Sequence, residues 1–135
     1  MENCIFCKIA NGEIPSATIY EDEKFRVILD LGPASKGHAL ILPKVLYADI
    51  YEIPEVLAGD AYKLAVKLAR KMTSALNCDG FNIVQNNKES AGQTVFHFHM
   101  HLIPRYKDDQ VGLTWKPGKL TDEMKQEILT KIKEN

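Results

Sequence analysis

From Phe96 to Ile103 the chain alternates apolar residues with histidine: Phe-His-Phe-His-Met-His-Leu-Ile. Successive side chains of a strand point to opposite faces. The run therefore predicts a strand with Phe96, Phe98, Met100 and Leu102 on one face and His97, His99 and His101 on the other, the imidazoles roughly 7 Å apart. Elsewhere the pattern predicts a short helix over residues 4–10, ended by Asn11-Gly12, with Pro15 forcing an extended exit. Two β-branched and aromatic stretches, 18–20 and 25–29, flank a charged tetrapeptide and read as a hairpin. Residues 32–37 read as a loop, and 38–43 as a buried strand closed by proline. Pro54 can open a helix running to about Asn77, since Leu57, Ala61, Leu64, Ala65, Leu68 and Met72 recur at helical spacing. A strand over 80–85 and a polar loop carrying Gly92 lead into the histidine run. Thr121 caps a last amphipathic helix bearing Met124, Ile128 and Ile132. Strands at hairpin spacing with one long intervening helix predict a single α+β domain over residues 1–135, with a mostly antiparallel five-stranded sheet.

Composition changes this picture little but excludes several functions. The 135 residues are 45% apolar and 26% charged, with a net charge of −1. Such a balance argues against a nucleic-acid polymer as ligand, because tracking phosphates needs a basic surface. It leaves room for a single nucleotide. No apolar run approaches the ~18 residues needed to cross a bilayer, and the start of the chain, with Glu2 and no basic stretch, does not read as a signal peptide. The expected compartment is the cytoplasm. Three cysteines, two of them at the C-x-x-C spacing of Cys4 and Cys7, suggest metal or redox chemistry rather than a disulfide framework, with Cys78 an inert thiol at a helix end.

Three of the four histidines stand in the one alternating run. Imidazole is the side chain suited to proton and phosphoryl chemistry near neutral pH, so a row of them reads as a reaction centre. The run Gly92-Gln93-Thr94-Val95-Phe96-His97-Phe98-His99-Met100-His101-Leu102-Ile103 resembles the signature of the histidine triad superfamily. Cys4 to Ile9, Gly12-Glu13-Ile14-Pro15, Asp30, and Gly37-His38 through Pro43-Lys44 resemble its Hint-type branch in order and spacing.

That resemblance implies a nucleotide-binding hydrolase or transferase whose sheet continues across a homodimer. It makes His99 the nucleophile, attacking an α-phosphorus to form a covalent nucleotidyl-imidazole that water opens. His101 then bonds the phosphate oxygens or the leaving atom, His38 orients the triad, and Gln93 and Thr94 contact the phosphate. Asp30 accepts from the ribose hydroxyls, although on spacing alone it reads as a turn-forming aspartate. Asn86 reaches ribose or phosphate, while Phe6, Ile9, Ile14 and Leu40 enclose the base.

Relatives of this type often bind zinc through the two cysteines, the first triad histidine and a further histidine. Here those positions are Cys4, Cys7, His97 and Leu46, and Leu46 cannot bind metal, so a structural zinc would need water or a carboxylate such as Asp49. Asn87-Lys88 also departs from a common Asn-Gly. The expected activity is a purine nucleoside phosphoramidase or nucleotide hydrolase needing no cofactor for chemistry. The alternatives are a nucleotide-binding signalling or scaffold protein, a dinucleoside polyphosphate hydrolase, and a metal-dependent hydrolase.

Overall fold

A computed structural model describes residues 4–134; Glu2 lies outside them. The elements are α1 (Ile5–Ala10), β1 (Thr18–Glu21), β2 (Phe25–Leu29), β3 (Ala39–Pro43), α2 (Glu55–Leu76), β4 (Gly80–Val84), β5 (Met100–Arg105) and α3 (Asp122–Glu134). A 3-10 turn, Glu89–Ala91, falls in what the sequence reads simply as a loop. All four strand pairings are antiparallel, in the order β1-β2-β3-β5-β4. Among the described residues no helix is long and apolar enough to cross a membrane.

Strand alternation divides the interior in two. Phe25, Val27, Ala39, Ile41, Met100 and Leu102 face the stripe Ala61, Leu64, Ala65, Leu68 and Met72 of α2 and make the main core. Ile28, Leu40 and Leu42 point the other way, where Phe6, Ile9 and Ala10 of α1 cover them. Register places Leu40 beside His101, so His101 emerges on the face carrying α1. The α2 stripe is the one expected from helical spacing, with Leu57 packed at its margin. Pro54 precedes the helix, and Asn77 ends it in a left-handed conformation.

One expectation needs correction. The histidine strand begins at Met100, not Phe96. Continuing the β3–β5 register would set Phe98 opposite Pro43, which has no N–H to donate. The chain leaves the ladder there, and Phe98 N–H bonds instead to Tyr47 O at 2.6 Å. Phe96, expected on the apolar face, is half exposed, while Phe98 is buried. Helix α3 forms with Thr121 at its start, Thr121 Oγ1 accepting from Met124 N–H at 3.2 Å; it buries none of its residues, and Met124, Ile128 and Ile132 face outward.

Candidate active site

Gly37 sets up the first catalytic candidate. It lies at φ +93°, and a Cβ there would meet Leu76 Cδ1 at 2.5 Å, so glycine alone fits. The loop it closes is held by Ser35 Oγ–H on Pro104 O and by Tyr106 O–H on Lys36 O. His38 emerges from this loop buried, and Ala34 N–H donates to its Nδ1 at 2.9 Å. A ring nitrogen that accepts carries no proton, so in neutral His38 the proton is on Nε2. That Nε2–H donates to His101 Nδ1 at 2.9 Å. His101 accordingly carries its own proton on Nε2.

The same reasoning assigns His99. Its Nδ1–H donates to the His97 carbonyl at 2.7 Å, which leaves an unprotonated Nε2. The ring is buried, packs edge-on against Phe6 with centroids 5.0 Å apart, and stands 5.0 Å from the His101 ring. That spacing is closer than a regular strand gives, because His99 precedes the ladder.

Burial holds all these imidazoles neutral. His99 and His38 lie below the ordinary imidazole pKa because of desolvation. His101 is pushed down to about 4, first by burial and then by His99 and His38.

His99 and His101 line a cavity of about 450 Å³ with Thr94, Asp30, Phe6, Ile9, Ile14 and Leu40. Ile5, Pro15, Ile28, Leu29, Leu31 and Val95 complete much of its wall. Of these Ile28 was foreseeable, since strand alternation puts it beside Leu40. Asp30 plays two parts. Its Oδ1 accepts from Gly32 N–H, the turn role, while its Oδ2 stands 3.6 Å from His38 Nε2.

Other sequence candidates fall elsewhere. Gln93 is buried, with its amide spent on the protein: Nε2–H groups donate to Ala48 O and Val95 O, and Oε1 accepts from Lys88 N–H. It shapes the loop from behind and has no free group to offer a phosphate. Asn86 is outside the cavity wall, near Gly92.

His97 is turned away from the cavity. Its Nε2–H donates to Pro43 O at 2.8 Å, and its Nδ1 lone pair faces Cys4 and Cys7 Sγ at 3.4 and 3.3 Å. The two sulfurs are in covalent contact, so a metal could enter only on the reduced pair. Two thiolates and an imidazole lone pair suit zinc. The fourth position is apolar, because Leu46 stands with Cys4 on the wall of a neighbouring 420 Å³ cavity. Asp49 does not supply that position; it is buried and paired with Lys88. Asp30, His38 and His101 also converge. Here the Ala34 N–H leaves His38 Nε2 protonated, which suits a proton-bearing chain better than a metal.

The family model described as "HIT domain" matches residues 11–108. "Protein hit" of Bacillus subtilis is 46% identical over 132 residues, covering 97% of this chain and 90% of that protein. Adenosine 5'-monophosphoramidase HNT1 of Saccharomyces cerevisiae is 40% identical over 136 residues, covering 96% and 82%. The crystal structure of SMU.412c from Streptococcus mutans superposes with a TM-score of 0.94 at 37% identity, covering 99% of this chain and 85% of that one.

Proposed function

Because the chain belongs to the HIT family, we propose that it hydrolyses purine nucleoside phosphoramidates at the α-phosphorus through a covalent intermediate on His99. The observation that carries this reading is the His99 ring itself: neutral, fixed by His97 O, with the Nε2 lone pair left for the cavity. Ile9, Ile14 and Leu40 enclose the base and Asp30 Oδ2 takes the ribose hydroxyls. Thr94 Oγ1–H and His101 Nε2–H meet the phosphate oxygens.

In the first step His99 Nε2 attacks phosphorus. The N–P bond forms as the P–N bond to the leaving group breaks, and that electron pair departs on an amine that entered protonated. Water then attacks phosphorus, the bonding pair returns to His99 Nε2, and the water's proton passes to solvent. The neutral pocket stabilises charge through fixed donors, without a step that needs a Lewis acid.

A relative called adenosine 5'-monophosphoramidase supports the substrate class. Zinc on reduced Cys4, Cys7 and His97, with water as fourth ligand, would brace α1 and supply no chemistry. A second copy of the chain is the proposed partner, supported by the open edge of β4 and the uncovered apolar face of α3.

The reading is tested by turnover of adenosine 5'-phosphoramidate. His99→Ala is expected to lose activity on the order of 10³-fold or more while AMP still binds, since the base and ribose contacts remain. Substantial activity in that variant would remove His99 from the role.

A further inference from the structure

Lys88 is the one lysine among the described residues with a positive φ, and its backbone is at φ +75°, ψ +162°. That region is essentially reserved for glycine, since a Cβ is strained there. Asn77, the other non-glycine with positive φ, is a helix cap of a kind asparagine tolerates. A lysine in glycine's place calls for a compensating interaction, and Lys88 makes several.

Its carbonyl accepts from Ala91 and Gln93 N–H, and its own N–H donates to Gln93 Oε1 at 2.7 Å. Its ammonium reaches across to Asp49 Oδ2 at 2.8 Å and stands 5.5 Å from the centre of the Tyr51 ring. Asp49 is 1% exposed, and Lys88 is its sole ion-pair partner among the described residues. The Lys88 side chain is itself largely exposed, but a buried carboxylate without a counter-ion is costly, so the pair links the two chain segments through the Asp49 end. Further ties run the same way: Ile50 N–H to Asn87 Oδ1 and Gln93 Nε2–H to Ala48 O. The segment held in this manner runs directly into Thr94, which lines the cavity beside His99.

The geometry points to Lys88 and Asp49 as positioning residues, an ion-paired strap that clamps residues 86–93 onto the 47–53 segment and so sets Thr94 against the reacting phosphorus. A glycine at 88 would relax the backbone but leave Asp49 without its cation. The catalytic consequence rests on the phosphoramidase reading; the mechanical one does not.

The test is the double variant Lys88→Gly with Asp49→Asn. It removes the backbone strain and the buried charge together, while asparagine keeps an acceptor for Tyr51 N–H. Expected are a melting temperature no lower than wild type, a kcat on adenosine 5'-phosphoramidate reduced about 10-fold or more, and AMP affinity within about threefold. Amide hydrogen exchange over residues 88–95 should rise, and Lys88→Arg should retain both kcat and protection. Unchanged kcat together with unchanged exchange in the double variant overturns the proposal. If wild type itself fails to turn over the phosphoramidate, the functional reading falls, and exchange alone then decides the strap: a rise supports it and no rise overturns it.

Discussion

With Ala34 N–H on one nitrogen of His38 and His101 on the other, the relay has a single arrangement of protons while every ring is neutral. Protonating His101 puts a second N–H against the one His38 donates, which breaks the arrangement. Turnover should therefore be flat around neutrality and fall as pH drops toward the pKa of about 4 that His101 carries. A pH–rate profile of kcat/KM with no acid limb above pH 3 would contradict this. Stability follows the same sign. The folded state holds His101 below its ordinary pKa, so between about 6.5 and 4 the unfolded chain binds the extra proton. His101 thus makes folding progressively less favourable as pH falls through this window, by roughly 3 kcal/mol in all. On acidification through this window the melting temperature of wild type should fall more steeply than that of His101→Asn.

Among the elements, the helices and the strands β1 to β4 were legible because burial imposes a period on the chain. The α2 stripe and the alternation of β2 need no other information. The start of β5 was not legible from its own residues. It depends on Pro43, a residue on another strand that cannot donate to the ladder. The cavity was legible only in part. Phe6, Ile9, Ile14 and Leu40 look like ordinary core positions, and the family resemblance rather than periodicity picked them out. Gln93 shows the opposite failure: the motif marks it for phosphate, while its amide is spent on Ala48, Val95 and Lys88.

Two element-level substitutions follow. Gly37→Ala should cost about 2 kcal/mol or more, from strain at positive φ and the clash with Leu76, read as a drop in melting temperature. Leu46→His, facing the space beside Cys4, should raise zinc affinity of the reduced protein sharply, measured by competition with a chromogenic chelator. Unaltered affinity would detach Cys4 and Cys7 from a metal role.

At the scale of the molecule, the described surface carries apolar side chains that a single copy leaves uncovered. Trp115, Leu120, Met124 and Ile132 are all well exposed, and β4 is an open edge. Such features are covered in stable proteins by a partner or by charge. Light scattering at micromolar concentration should give the mass of a homodimer, and a monomer mass would contradict that expectation. Within the assembly the chemistry should be indifferent to metal: chelation of zinc lowers the melting temperature if zinc was bound, and leaves the rate of the still-folded protein unchanged.

A bond from His99 Nε2 to phosphorus is directly observable. Wild-type protein mixed with adenosine 5'-phosphoramidate, quenched within a turnover and digested for mass spectrometry, should carry an adenylyl group on the peptide containing His99, mapped to that ring. His99→Ala protein should carry none. An adenylyl group on a different residue, or product formed without any adduct when breakdown of the intermediate is slowed, would contradict the account.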